Sequence, residues 1–270
     1  MTLTISVRVP DGIVLATDSL VSILATIIPV EDLGAKCPKC EEDIKISELK
    51  LPLIRMPAGS SPFGRKLFNI EKRNIGVAVY GAPALNGRTV ESHIREFEKL
   101  KIVGEEKVKE VAHKLADYLH DNVKKEVKIL SKIPEKHLVV GFQVAGYDKK
   151  DVKIGKTFLV KIGRKITIEP KHTKGYGCTC GGEGRVAAKL WKKDPEIPIA
   201  KPNYALMTLQ DAIDYAVFLI RTTKDYQRFA TMVPNVGGDI DIAIITHHDG
   251  FKWIQQKKYR GEYEEFERML

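Results

Sequence analysis

The chain has 270 residues, 43% of them hydrophobic, with 44 Lys plus Arg against 35 Asp plus Glu for a formal net charge of +9. That composition excludes a disordered chain and allows one large domain or two modest ones with a substantial core. Basic and acidic residues are interleaved, as in "GEEKVKEVAHKLADYLHDNVKKEVK", and no basic stripe alternates with aromatics, so the excess charge reads as a solvated surface and not as a nucleic-acid footprint.

A period-2 pattern over Thr2 to Val9, a Pro10-Asp11-Gly12 turn and an apolar run over Ile13 to Ala16 predict an opening hairpin. The run "LVSILATIIPV" from Leu20 is too short to span a bilayer and lacks a charged leader, which points to a soluble, cytoplasmic protein with no membrane partner. Residues 20–63 are rich in Pro, Gly and charge, with one short strand at most, and read as an insertion in a single domain covering 1–270. "KLFNIEKRNIGVAVYGA" is a second hairpin turning near Asn74. Apolar residues at helical spacing place helices over Leu85–Leu100 and Glu105–Leu130, with Gly104 between them. Strands follow in "HLVVGFQVAGYD", "KTFLVKIG", "KITIEP" and "TKGYGCT", then a short helix in "EGRVAAKLWKK" and a longer one capped by Thr208. A hairpin across Asp249-Gly250 and a charged tail close the chain, with His247 and His248 at a solvated strand end. Strands, two helices, strands, two helices and strands make two stacked sheets with helices outside.

Several of these pieces, in order, resemble proteasome β-type subunits of the N-terminal-nucleophile (Ntn) hydrolase family: "TLTISVRVPDGIVLATDS", "RKLFNIEKRNIGVAVYGAPAL", "LVVGFQVAGYD", "MTLQDAIDYAVFLI" and "GGDIDIAIITHHDGF". The resemblance implies an α+β fold, the four-layer αββα sandwich, here with a cysteine-containing insertion. It implies that Thr2, freed by removal of Met1, is a nucleophile whose own α-amine serves as base. A free α-amine has a pKa of about 7.7–8.0, within range of neutral-pH proton transfer. Asp18 matches the family's acidic residue and Lys66 its lysine, a buried ammonium favouring the ionised threonine oxygen while the carboxylate orients it. Gly81 matches the backbone oxyanion donor, and Val79 lines the specificity pocket. The match departs at "CTCGGEG", where Gly181 stands in place of a supporting serine, and in "TKDYQRFATMVPNV", which looks like the corresponding stretch of the bacterial relative Anbu. There Asp225, Thr231 and Asn235 are the candidates to complete the network around the amine.

Cys37 and Cys40 have the spacing of a metal knuckle, and Cys178 and Cys180 form a second close pair. Four cysteines in two pairs equal one tetrahedral zinc set, which would order the polar insertion; a redox pair at Cys37/Cys40 or four separate thiols are the rivals. The leading expectation is a threonine peptidase acting on peptides or unfolded protein, assembled as a homo-oligomer, ring or smaller, with no cofactor needed for catalysis. A non-catalytic assembly subunit and a peptide ligase using the same site are the alternatives.

Overall fold

The structure, a computed structural model, describes residues 2–27, 54–126, 137–149, 151–191, 201–230 and 233–258. The chain divides into two compact units, Met1–Val21 with Pro62–Leu270, and Ser22–Ser61. Its strands are β1 (Leu3–Val9), β2 (Gly12–Asp18), β3 (Val21–Ile27), β4 (Ile54–Ser61), β5 (Leu67–Ile70), β6 (Ile75–Gly81), β7 (Ala84–Leu85) and β8 (Arg88–Thr89). Helices α1 (Val90–Lys101) and α2 (Val108–Glu126) follow, then β9 (Val140–Asp148), β10 (Asp151–Ile162), β11 (Ile166–Lys171) and β12 (Gly177–Gly182). The chain continues through α3 (Arg185–Trp191), α4 (Leu209–Phe229), β13 (Ile240–Thr246) and β14 (Gly250–Gln255).

One antiparallel sheet runs β12-β1-β2-β13-β14 and the other β11-β10-β9-β6-β5. All seven residues of β1 and of β2 are buried, the mark of strands covered on both faces. The faces alternate along β1. Leu3, Ile5, Val7 and Val9 enter a cluster with Ala212, Ala216, Leu219 and Ile220 of α4. Thr4 meets Gln143 of the other sheet, whose Nε2 donates to Thr4 Oγ1 at 2.9 Å. A second cluster joins β6, β9 and β10 to α1 and α2 around Phe68, Phe97 and Phe142. Truncating one of those fully buried rings to alanine would cost about 3–5 kcal/mol. Between the sheets lies a third cluster, with Ile13, Leu15, Ala78, Ala145 and Ile245.

Local signals account for the helix starts. Thr208 and Asp211 form a reciprocal capping box at the start of α4, and Thr89 caps α1 by accepting from Ser92 N–H at 3.2 Å. Helix α1 begins five residues later than the apolar spacing predicts. Asn86 (φ 48°) and Gly87 (φ 72°) instead turn the chain into the small hairpin β7–β8, since both central positions take the left-handed backbone that Asn-Gly favours. The stretch read as holding at most one strand contains two, β3 and β4, paired as a two-stranded sheet. Among the described residues no helix is long and apolar enough to cross a membrane.

Candidate active site

Thr2 lies just before β1 and is 4% exposed. Its carbonyl accepts from the Glu183 N–H at 2.8 Å, beyond the end of β12. The next amide, Leu3 N–H, donates to Asp18 Oδ1 at 3.0 Å. Thr2 is thus held at its carbonyl and through the following peptide by two different segments.

Asp18 ends β2 and is wholly buried. Its Oδ1 accepts from Leu3 N–H and from Lys66 Nζ at 3.1 Å; its Oδ2 accepts from Leu20 N–H at 3.1 Å and Gly237 N–H at 3.0 Å. Lys66 Nζ donates also to the Leu20 carbonyl at 2.6 Å. Burial pushes the Asp18 carboxyl up and the Lys66 ammonium down, while their mutual attraction and the backbone N–H groups act the other way. The geometry decides the charge state. Among the described residues four donors converge on the carboxyl and no acceptor faces it, so a proton on Asp18 would displace a donor, and the ionised pair fits. The structure therefore brings Asp18, Lys66 and the peptide that follows Thr2 to one carboxylate oxygen.

Gly81 closes β6 with φ +98°, and a Cβ there would meet the Val139 carbonyl at 2.7 Å, so backbone geometry alone demands glycine. Val79 donates its N–H to the Lys66 carbonyl at 2.7 Å, while its side chain packs into the cluster shared with α1 and α2.

Gly181, where the resemblance expects a serine, pairs with Thr4 across β12–β1. A Cβ at 181 would fall 2.5 Å from both Thr4 Oγ1 and the Tyr80 ring, so that space is already filled. At Gly182, with φ +77°, a Cβ would come within 1.8 Å of the Thr2 carbonyl oxygen. Support on this side comes from residues that, Asn235 apart, sequence reasoning missed. Glu183, 4% exposed, is gripped in a two-point fork by Arg185 at 2.6 and 2.7 Å. Arg185 first, with help from Asn235, holds the Glu183 carboxyl below the usual carboxylate range. Asn235 is in turn fixed by Gln227 of α4, which donates to its side chain at 2.9 Å and accepts from the Asn235 and Val236 N–H groups. Asn235, one of the three candidates, lies in this Glu183 network; Asp225 is exposed on α4, and Thr231 lies outside the described residues. Gln227 carried a visible signal, a polar residue continuing the buried stripe of α4 four positions after Thr223.

A second buried ion pair adjoins the first. Lys257 Nζ lies 3.3 Å from Asp241 Oδ2 and donates to the Gly64 carbonyl, while Gly64 N–H donates to the Ser19 carbonyl at 2.9 Å. Burial pushes the Lys257 ammonium down, opposed by Asp241. Lys257 and Asp241 also act electrostatically on Lys66, in opposite directions.

Cys178 and Cys180 are free thiols on β12. Their shared strand face packs against the α4-side cluster, and burial pushes the Cys178 thiol up. Between them Thr179 is linked to the opposite sheet, its carbonyl accepting from Gln143 Nε2 at 3.4 Å. Among the described residues no three His, Cys, Asp or Glu side chains are grouped to hold a metal; Cys37 and Cys40 lie outside those residues.

No protein family matches the chain, and no curated protein does. Among solved structures it is similar to the Anbu (Gly-1) mutant from Hyphomicrobium sp. strain MC1, with 13% identity and a TM-score of 0.58 over 100% of this chain and 91% of that one. It is also similar to Anbu (ancestral beta-subunit) from Yersinia bercovieri, with 14% identity and a TM-score of 0.53 over 99% and 91% of the two chains. The fold is therefore that of these Anbu chains, the relative to which the sequence motifs pointed.

Proposed function

We propose that this chain is a proteasome-like threonine peptidase whose nucleophile is Thr2 after removal of Met1. The reading rests on one observation above others: Asp18 Oδ1 is shared by the amide following Thr2 and by the Lys66 ammonium. That arrangement ties the Lys66 ammonium to the peptide following Thr2 and supports a role for its charge in favouring an alkoxide there. The sequence of helix pair, sheet, sheet and helix pair supports the αββα layering of such enzymes.

In the proposed reaction the Thr2 hydroxyl oxygen attacks the substrate carbonyl, and its proton passes to the α-amine, whose reference pKa of about 7.7–8.0 suits the role near neutral pH. The ammonium so formed protonates the departing amine, leaving an ester on Thr2. Water then attacks the ester with the amine again taking the proton, and Thr2 is regenerated. An incoming peptide amine in place of water would make the same site a ligase. Lys66 acts by charge and Asp18 by holding it. The Glu183 N–H fixes the Thr2 carbonyl, so the nucleophile is not left to fray as chain ends do. Exposed Phe218, Tyr226 and Phe229 on α4 offer apolar surface for assembly into a homo-oligomer.

A non-catalytic assembly subunit is the second reading, favoured by Gly181 in place of the serine. Intact mass separates the two. Loss of Met1 in protein from its own cell, followed by one covalent adduct of an electrophilic threonine-protease inhibitor that maps to Thr2, is the expected result. Retained Met1 would sink the enzyme. Metal analysis tests the zinc proposal, in which Cys37, Cys40, Cys178 and Cys180 share one ion; absence of stoichiometric zinc from the folded protein would refute it.

A further inference from the structure

At the opposite end of β1 from Thr2, about 20 Å along the strand at ~3.3 Å per residue, Arg8 lines a cavity of about 670 Å³. Among the described residues five cationic side chains and one carboxylate, Asp148, border this space. Two of the cations are matched. Lys156 lies 2.6 Å from Asp148 Oδ2, and Lys171 lies 2.5 Å from Glu169 Oε2. Arg8, Lys107 and Lys109 have no carboxylate partner among the described residues.

Arg8 is the unusual member. It is 4% exposed, yet among the described residues its guanidinium makes one hydrogen bond, from Nη1 to the Gly155 carbonyl at 2.8 Å, and it stands 5.8 Å from the centre of the Tyr176 ring. Burial draws its pKa down, but a guanidinium stays charged in proteins, so the cost of desolvating it has no anion to offset it. Lys107 and Lys109 flank the start of α2, where the helix dipole disfavours cations. Helix stability gives no reason for them there. The helix terminus itself is not the vacancy, because Asp148 Oδ1 already accepts from the Val108 N–H at 2.8 Å. The rest of the lining mixes apolar Ile154, Phe158, Ile168 and Pro170 with polar His113, Thr157 and Thr173. The volume suits a small organic molecule.

We propose that this cavity is a binding site for an organic phosphate, its dianionic head held by Arg8 with Lys107 and Lys109 and its apolar or aromatic body laid against Phe158 and Ile168. A forked guanidinium favours a phosphate or carboxylate head over a halide, and three unmatched positive charges favour a dianion over a monoanion. The site stands apart from Thr2 and does not depend on the peptidase reading.

The test is calorimetric titration of the full chain with 1-naphthyl phosphate, inorganic phosphate and 1-naphthoate. Saturable binding of 1-naphthyl phosphate with Kd below about 1 mM is expected, with the other two at least about tenfold weaker. Arg8→Met should weaken it tenfold or more. Because that variant removes a buried residue, the surface double variant Lys107→Glu/Lys109→Glu provides a second arm, with the same loss and an unchanged melting temperature. Absence of saturable binding, affinities equal in wild type and both variants, or equal binding of all three probes would overturn the proposal. So would heat that vanishes at about 0.15 M salt in wild type and variants alike, which is loose attraction to a basic surface.

Discussion

Replacing Asp18 by Asn tests how the region around Thr2 is held together. Asparagine keeps the shape but turns one oxygen into an NH2 group facing N–H donors, and it strips the buried Lys66 ammonium of its counter-charge. Removing one partner of a buried pair costs about 3–5 kcal/mol. Lys66→Met should cost less, about 1–3 kcal/mol, because the carboxylate keeps three backbone donors, from Leu3, Leu20 and Gly237. In the double variant no charge is left uncompensated, so it should be more stable than Asp18→Asn alone. Urea unfolding reads this directly: with a slope of about 2–3 kcal/mol/M, the Asp18→Asn midpoint should fall by roughly 1–2 M. A loss below about 1 kcal/mol for Asp18→Asn, or single effects that add to within about 0.5 kcal/mol, would refute the ionised, mutually dependent pair.

Glu106 gives a pH signature. Burial would raise its carboxyl, but Lys114 and the N–H groups of Val103 and Gly104 prevail and bring it to about 2, below its unfolded value. A depressed carboxyl stabilises above the unfolded pKa, so between pH 5 and 2 the wild type should lose about 1–2 kcal/mol more than Glu106→Gln, allowing for the half-exposed Lys114; parallel acid melts check it. Gly182→Ala combines a positive φ with a methyl against the Thr2 carbonyl, and should cost at least about 2 kcal/mol in urea unfolding and abolish inhibitor capture at Thr2. Asp241→Asn leaves the Lys257 ammonium buried without its carboxylate, a loss of about 3 kcal/mol by urea unfolding that Lys257→Met on the same background should partly restore. Gln227→Leu removes three hydrogen bonds around Asn235 and should lower stability by about 2 kcal/mol in the same assay.

The elements whose causes are local were legible in the sequence. The opening hairpin, the Thr208 cap and the apolar stripe of α4 each follow from residues a few positions apart, and the observed elements agree with them. Asn86-Gly87 was legible too, but the helical spacing that runs across it masked a turn that positive φ makes decisive. Asp18 and Lys66 were found by resemblance, whereas their partners were not, because Leu3, Leu20 and Gly237 contribute main-chain N–H groups that no side chain advertises. Glu183 is hidden for the same reason, since its contact with Thr2 is set by the register of β12 on β1. Lys257 reads as one more charge in a charged tail. Its pairing with Asp241, 16 residues earlier, exists only because β13 and β14 fold back on each other.

Buried ion pairs are weak evidence for stability, since apolar residues of similar size often serve a fold as well or better. Two such pairs nonetheless lie at the Thr2 end of the β1 sheet, Asp18–Lys66 and Asp241–Lys257, joined through Ser19 and Gly64. An assembly subunit gains nothing from that charge that a leucine and a methionine could not supply. A nucleophilic threonine does gain, because fixed charges in a dry site favour an ionised oxygen without reorganising during the reaction. Gly181 does not reverse this weighing. The Tyr80 ring and the Thr4 hydroxyl occupy the space a serine would need, so its absence is a packing consequence of Tyr80. The nearby polar support passes instead to Glu183, Arg185, Asn235 and Gln227, a different route to an anchored Thr2 and not a vacant one.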